Sequence, residues 1–187
     1  MRLPLVYLGD PLLRKKCRKV EHITSSIRKL VGNMVETMDK EKGVGIAAPQ
    51  IGEDLQIFVL RKYGTNPTTG QKELSSPHVY INPRILAVSK ETCMDQEGCL
   101  SIPGLQEEVE RFVQVKIEAQ DMEGRLFIEE VEGFNARVIQ HEYDHLQGIL
   151  FTDRLSKEKQ QLVHDFLTKV IETYNPQAAS KEVFITL

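Results

Sequence analysis

The sequence is poor in several residue types, and each shortage excludes a class of protein. It has no tryptophan, 6% aromatic residues and three cysteines among 187 residues, so neither an indole cage nor a disulfide framework is expected. No segment approaches the roughly 20 consecutive apolar residues of a membrane-spanning helix, so we expect no membrane association. Residues 1–10 also lack the basic region and apolar run of a secretory signal, which predicts a cytoplasmic protein.

A large excess of positive or negative charge is also missing. The chain has 24 basic and 27 acidic residues, for a net charge of -3, so no basic surface for sequence-specific nucleic-acid binding is expected. Hydrophobic residues make up 41% and charged residues 27%, which is typical of a globular protein and excludes a disordered chain. The length predicts one domain with one hydrophobic core.

Hydrophobic periodicity predicts three helices. Apolar side chains recur every three or four residues over 27–38 and over 162–174, and a middle helix covers about 131–146. Strand patterns cover 55–60, 79–81, 85–88, 113–119 and 126–131. Residues 63–78 are predicted to form a surface loop. Because the strands do not alternate with helices, we expect an α+β fold in which mostly antiparallel mixed sheets wrap around the middle helix, with an N-terminal and a C-terminal helix.

The most specific motif is an H-E-x-x-H sequence at 141–145 on the predicted middle helix. Residues four apart lie on one helical face with Cβ atoms about 5–6 Å apart, so His141 and His145 can bind one metal ion while Glu142 lies beside it. A catalytic site of this kind uses three protein ligands and keeps one position for water. The motif therefore predicts a metal centre whose third ligand comes from elsewhere in the chain.

The residues alone leave two sources for that third ligand. Glu158 and Glu172 could act as in thermolysin-like sites, but the periodicity places both on the polar face of the last helix. Cys99, within 97–101, would supply a soft thiolate. Cys17 and Cys93 fit the pattern of small buried apolar residues. Because basic residues surround Cys17 in the sequence, an exposed thiol at that position is also possible.

Residues 43–50, Gly-Val-Gly-Ile-Ala-Ala-Pro-Gln, have mostly small side chains. Small residues let a second backbone approach closely enough for main-chain hydrogen bonds, and Gln50 ends the run with an amide donor. The segment lacks the Gly-Lys-Ser/Thr ending of a phosphate-binding loop. A substrate cleft and a tight turn against a sheet both fit this pattern.

Together, the three segments resemble the peptide deformylase family. That family carries G-φ-G-φ-A-A-x-Q, E-G-C-φ-S and Q-H-E-x-D-H, where φ is apolar, and this chain has matching residues at 43–50, 97–101 and 140–145 in the same order. The resemblance extends over roughly residues 5–155. We therefore expect residues 1–175 to form a single catalytic domain of this type and residues 176–187 to form a C-terminal tail.

The resemblance implies removal of the N-terminal formyl group from the formylmethionine of newly synthesised proteins, with release of formate. It implies one divalent metal ion per chain, Fe(II) natively with Zn, Ni or Co as substitutes, because His and Cys suit all of these ions. The implied metal ligands are Cys99, His141 and His145.

The resemblance also implies the other roles in the site. Glu142 would move a proton from water to the leaving amine, and the Gln50 side chain and the Leu100 N–H would stabilise the developing negative charge. Gly45 would bind the substrate backbone. Pocket residues for the methionine side chain are predicted to be Val44, Phe134 and Val138.

Three further charged residues lie in or near the motifs. Arg137 lies one turn before His141, where relatives often have an apolar residue, and we expect its charge to point to solvent at the rim of the substrate pocket. Glu97 and Asp144 resemble family positions that orient the ligands.

The expected partners are nascent formyl-methionyl polypeptides and the ribosome near its exit tunnel, although the last helix shows no basic face. Two other interpretations stay open at this stage. One is a metallopeptidase that uses Glu172 as third ligand, cleaves internal peptide bonds and does not need Cys99. The other is a non-catalytic ribosome-binding module with a structural metal, but such a site has no use for Glu142 as a base.

Overall fold

The computed structural model describes residues 1–65 and 70–179, and it confirms the predicted α+β fold. The helices of this part of the chain are α1 (Ser25–Lys40), α2 (Gly133–Leu146), α3 (Lys157–Tyr174) and the short α4 (Pro176–Ala179). The strands are β1 (Gly45–Ala47), β2 (Ile57–Leu60), β3 (Tyr63–Thr65), β4 (Lys72–Leu74), β5 (His78–Val88), β6 (Thr92–Cys99), β7 (Ile102–Phe112), β8 (Gln114–Gln120) and β9 (Leu126–Glu132).

The strands form one large sheet and two hairpins. The five-stranded sheet has the order β1-β2-β5-β8-β9, which makes β1 an edge strand, while β3-β4 and β6-β7 each form a two-stranded sheet. All of these strand pairings are antiparallel. Helix α2 packs against the five-stranded sheet and against β7, so the predicted middle helix is central.

The apolar face of α2 fixes its position on the sheet. Ala136, Ile139 and Leu146 are fully buried in a cluster with Phe58 of β2 and Ile117 of β8. Burial of a side chain such as Ile139 stabilises the fold by about 1.5–3 kcal/mol. The polar residues of the helix consequently face away from this cluster, toward the β6-β7 hairpin.

A glycine determines where α2 ends. Gly148 has a φ of +74°, and a Cβ atom at this position would lie 2.5 Å from the carbonyl oxygen of Arg14. Both the left-handed backbone and the close approach require glycine. The N-terminal segment therefore crosses directly beneath the end of the helix.

A hydroxyl side chain caps the first turn of each of the two long outer helices. The Thr24 side chain accepts a hydrogen bond from the Ile27 N–H, and the Ser156 side chain accepts one from the Lys159 N–H, which satisfies amide groups that the first helical turn leaves unpaired. α1 packs on the sheet through Met34 and Met38, which belong to one apolar cluster. α3 packs on β7 through residues of a second cluster.

The sequence-based strand predictions were wrong in three places. The segments 79–81 and 85–88 belong to the single strand β5, whose pairing with β8 shifts register on either side of Arg84 and so accommodates Pro83. The predicted loop at 63–78 contains the β3-β4 hairpin. The β6-β7 hairpin was not predicted, because most side chains of β6 are exposed and show no apolar alternation.

Among the described residues, no helix is both long and apolar enough to cross a membrane. Ala178 of α4 is buried in the same apolar cluster as Ile171 of α3, so the chain stays packed on the domain just past residue 175. The rest of the predicted tail, residues 180–187, lies outside the described residues.

Candidate active site and metal centre

Three potential metal ligands meet between α2 and the β6-β7 hairpin. One ligand atom from each of Cys99, His141 and His145 lies within 4.8 Å of the other two, and Cys99 Sγ is 3.3 Å from His145 Nε2. In the part of the chain that the structure describes, no other set of His, Cys, Asp or Glu side chains converges in this way. The two histidines come from successive turns of α2, as the spacing in the motif requires.

A register shift at the end of the β6-β7 hairpin places the thiol. Pairing of the two strands is regular up to Gly98 and then shifts, so that Cys99 pairs with Ile102 across a tight turn. Ile102 and Val109 of β7 are fully buried in the cluster against α3. The hairpin is therefore anchored on its apolar side, which holds Cys99 in front of the two imidazoles.

The donor set fits a divalent transition metal. A thiol with two imidazoles is the ligand type that zinc and iron-group ions bind in proteins. Beside these ligands, Glu142 Oε2 is buried without a hydrogen-bond partner in the protein, which is costly for a polar group unless a water molecule or a further ligand joins it. Glu158 and Glu172, the alternative third ligands, are on α3 and lie outside this group.

Glu97 orients one of the two imidazoles. Its Oε2 lies 3.0 Å from His141 Nδ1. Burial alone raises the pKa of Glu97, but hydrogen bonds from Arg111 and His141 outweigh burial and hold that pKa well below its usual range. The ionised carboxylate accepts from Nδ1–H, which leaves the Nε2 lone pair of His141 free for a metal ion.

Glu142 is enclosed beside the three ligands. Burial raises the pKa of its carboxyl group to about 7, a value at which the group can both accept and release a proton near neutral pH. Its Oε1 occupies the space beside Gly45, where a Cβ atom would lie only 2.5 Å away. The position of the Glu142 carboxylate therefore requires glycine at residue 45 of the edge strand β1.

The Gln50 amide has a fixed orientation. Its Oε1 accepts a hydrogen bond of 2.8 Å from the Ala47 N–H. The Nε2 group consequently points the other way, 3.4 Å from Cys99 Sγ and 3.3 Å from Ser101 Oγ. This arrangement places an N–H donor beside the ligand group, as electrostatic stabilisation of a developing oxyanion requires.

The structure brings all of the sequence-predicted site residues except His145 into the lining of one cleft of about 940 Å³. The ones that line it are Val44, Gly45, Gln50, Cys99, Leu100, Phe134, Arg137, Val138, His141 and Glu142. Tyr7 and Tyr174, which sequence reasoning missed, line the same cleft and their ring centroids are 4.8 Å apart. Nothing local in the sequence pairs these two residues, since they come from opposite ends of the chain.

The prediction that the charge of Arg137 points to solvent was wrong. Arg137 is only 3% exposed, and its Nη1 lies 2.9 Å from Glu97 Oε1 and 2.7 Å from the Val109 carbonyl oxygen. The physical reason is the β6-β7 hairpin, which supplies acceptors that could not be expected without it. The guanidinium group therefore lies beneath the cleft, not at its rim.

Arg111 of β7 is a buried residue that sequence reasoning also missed. Its Nε and Nη2 bind the two oxygens of Glu97 at 2.8 and 2.9 Å, and its Nη1 binds Asp144. Asp144 is held by Arg111 and Arg154, so it contacts arginines and not the histidines. The sequence contained an indication of this role. Val109 and Arg111 are two residues apart on one strand and so point to the same face, and a charged side chain on a buried face requires a buried partner.

The two cysteines outside the metal centre differ from one another. Cys17, for which the sequence left both a buried and an exposed thiol open, is buried, whereas Cys93 is exposed, so the prediction for Cys93 was wrong. Cys93 lies near the open end of the β6-β7 hairpin, where its Sγ is 3.4 Å from Arg137 Nη2 but the residue stays accessible to solvent. Burial, reinforced by the charge of Asp54, raises the pKa of Cys17 to about 11.

We expect a thiol reagent at pH 8 to modify Cys93 quickly and to leave Cys17 unmodified, because Cys17 is both buried and protonated at that pH. Peptide mass spectrometry after maleimide treatment measures this, and a sample unfolded in denaturant is the control in which both residues react. Since folding raises this pKa, the stabilisation from the neutral thiol is complete below the pKa of the unfolded chain and is lost as the pH rises toward 11. Equal labelling of both residues in the folded protein would contradict the structure.

Comparison with known proteins gives consistent results. Residues 2–161 match the family model described as polypeptide deformylase. A peptide deformylase from Mesorhizobium japonicum is 42% identical over 160 residues, which cover 86% of this chain and 88% of that protein. The crystal structure of the peptide deformylase from Thermus thermophilus is 41% identical, has a TM-score of 0.81 and covers 94% of this chain and 99% of its own. A class I type b peptide deformylase structure from Acinetobacter baumannii is 34% identical with a TM-score of 0.76, covering 83% of this chain and 99% of its own.

Proposed function

The chain belongs to the polypeptide deformylase family, and from this premise we propose that Cys99, His141 and His145 hold the metal ion with which it hydrolyses formylated N-termini. As a peptide deformylase, it removes the formyl group from the N-terminal formylmethionine of newly synthesised polypeptides and releases formate. The observation that carries the proposed site is the convergence of one thiol and two imidazoles within 4.8 Å. When bound, a divalent metal supplies Lewis-acid polarisation and lowers the pKa of a water molecule toward neutrality.

The remaining steps are assigned to side-chain and backbone groups of the protein. Glu142, buried beside the ligands, accepts the proton of the attacking water and donates it to the leaving amine. The Gln50 amide and the Leu100 N–H donate hydrogen bonds to the oxygen on which negative charge develops. The fixed direction of the Gln50 amide supports this role, because the donor needs no rearrangement during the reaction.

The substrate is proposed to pair with the free edge of β1. Gly45 presents its backbone on this edge, and an extended peptide can add to it by main-chain hydrogen bonds. The methionine side chain would lie among Val44, Phe134 and Val138, which suit an unbranched thioether. The Acinetobacter baumannii relative was solved with Met-Ala-Ser bound, which supports a peptide of this kind as the occupant of the cleft.

We expect a Gly45→Ala substitution to lower kcat/KM for a formyl-methionyl peptide by about 100-fold, because a displacement of about 1 Å near reacting groups can have this effect. The new methyl group would lie 2.5 Å from Glu142 Oε1, so the carboxylate has to move. The matched control is Gly32→Ala on α1, where a Cβ atom meets nothing within 4 Å. Unchanged kinetics in Gly45→Ala would contradict the proposed position of Glu142 in the working enzyme.

Fe(II) is proposed as the natural metal, with Zn, Ni or Co as substitutes. The resemblance to the family supports iron, whereas the ligand types fit all four ions. We propose that the enzyme acts in the cytoplasm and near the ribosomal exit, since its substrate is a newly made polypeptide. Residues 1–175 are proposed as the catalytic domain, supported by the family match over 2–161, with 176–187 as its tail.

The test of the proposed site is formate release from a formyl-methionyl peptide. The protein is purified without oxygen, stripped of metal and reloaded with one equivalent of Fe(II), and Cys99→Ala is treated in the same way. Formate release that needs both the metal and Cys99 supports the ligand set. Release that needs the metal but not Cys99 would overturn it and favour a different third ligand.

A further inference from the structure

Arg137 is a buried cation for which the proposed reaction has no use. It lies on α2, one turn before His141, and its side chain is enclosed by the β6-β7 hairpin. Nη1 contacts Glu97 Oε1 at 2.9 Å and the Val109 carbonyl oxygen at 2.7 Å, while Nη2 contacts the Cys93 carbonyl oxygen at 2.8 Å. A buried guanidinium group is costly unless its donors are satisfied in this way.

These contacts connect the elements that carry the proposed ligands. The Cys93 and Val109 carbonyls belong to opposite strands of the hairpin that ends at Cys99. Arg137 itself belongs to the helix that carries both histidines. One side chain therefore ties the thiol ligand and the imidazole ligands to each other.

Arg137 also acts on the carboxylate behind His141. It binds Glu97 through Oε1, while Oε2 is the oxygen that contacts His141 Nδ1 at 3.0 Å. Arg111 binds both oxygens with its planar fork. The carboxylate is thus held from two directions, and its free rotation away from the imidazole is prevented.

We propose that Arg137 is a positioning residue for the metal centre, which it orders by fixing Glu97 against His141, while its bonds to the Val109 and Cys93 carbonyls hold Arg137 itself in place. This inference rests on the proposed ligand set. Partners of this kind, which orient a ligand without touching the metal, typically change metal affinity about 10–100-fold when they are replaced. Arg137 therefore determines how tightly the site holds its ion, although no atom of Arg137 takes part in the reaction.

The test measures Zn(II) affinity by chelator competition in a double-mutant cycle with Glu97. Arg137→Met keeps a long unbranched side chain, and Glu97 stays paired with Arg111, so no buried charge is left alone. We expect Arg137→Met to weaken zinc binding about 10–100-fold and Arg137→Lys to restore part of the loss. In a Glu97→Gln background, the same Arg137→Met change is expected to alter the affinity by less than about threefold, because the residue through which it acts is already changed.

A matched control distinguishes positioning from general stability. Tyr80→Phe removes a partly buried hydrogen bond between β5 and β9, and it is expected to lower the melting temperature without changing zinc affinity. Equal loss of affinity from Arg137→Met in both backgrounds would overturn the proposal, as would no loss in either. The ligand set is tested first, by zinc binding to the wild-type protein and to Cys99→Ala. It would be overturned if the wild type bound no zinc, or if Cys99→Ala bound zinc as tightly as the wild type.

Discussion

Replacing Glu142 by alanine is expected to lower kcat for formyl-peptide hydrolysis by roughly 10²–10⁴-fold, the range over which general acid–base catalysis contributes. The metal should stay bound, because Glu142 is not among the three converging ligand atoms. The fold should also persist, since Glu142 Oε2 has no hydrogen-bond partner in the protein and its removal relieves a buried polar atom. The measurements are the rate of formate release and the metal content of the same sample.

The control for this substitution is Glu130→Ala on β9, whose side chain is 74% exposed and far more accessible than that of Glu142. We expect it to keep the wild-type rate. Wild-type turnover in Glu142→Ala would refute the assignment of the proton transfers to this residue. Loss of both metal and activity would also refute it, because Glu142 would then be acting as a ligand.

Replacing Cys99 by alanine is expected to have an equally large effect by a different route. With the thiolate removed, only the two histidines of α2 offer ligand atoms, and a site with two protein ligands holds a metal far more weakly. We expect metal content to fall from one per chain to a small fraction after dialysis, and formate release to fall by more than about 100-fold, beyond the effect of losing a residue that only orients a ligand. Metal analysis and the formate assay on one preparation measure both.

Cys93→Ser is the matched control, because it removes a thiol from the same strand, β6, at an exposed position and keeps a side-chain acceptor for Arg137 Nη2, which lies 3.4 Å from Cys93 Sγ. It should keep the metal and the activity. A Cys99→Ala enzyme that cleaves internal peptide bonds with its metal in place would support the metallopeptidase alternative. The exposed position of Glu172 gives that outcome no structural support.

Those parts of the fold that depend on local patterns could be predicted from the sequence. The positions of α1, α2 and α3 follow from apolar residues at helical spacing. The two histidines of α2 could be predicted for the same reason, because a helix alone brings residues four apart to one face.

Features that depend on long-range pairing could not be predicted in this way. The β6-β7 hairpin buries mainly residues of β7, so its first strand shows no periodic signal. Without the hairpin, Arg137 has no visible partner, and its charge is expected at the surface. Cys99 was identified only through its resemblance to a family motif, since the residues themselves left Glu172 open as an alternative.

The edge position of β1 has a consequence for how widely the enzyme can act. Hydrogen bonds to a strand edge use the N–H and C=O groups that almost every residue possesses. The proposed pairing with β1 would therefore depend on the extended conformation of the bound chain and little on its sequence, so that the proposed methionine pocket would be the part of the site that selects a side chain. Binding of this kind suits an enzyme that acts on many different polypeptides. Proline lacks the N–H group, so we expect proline directly after the methionine to be disfavoured.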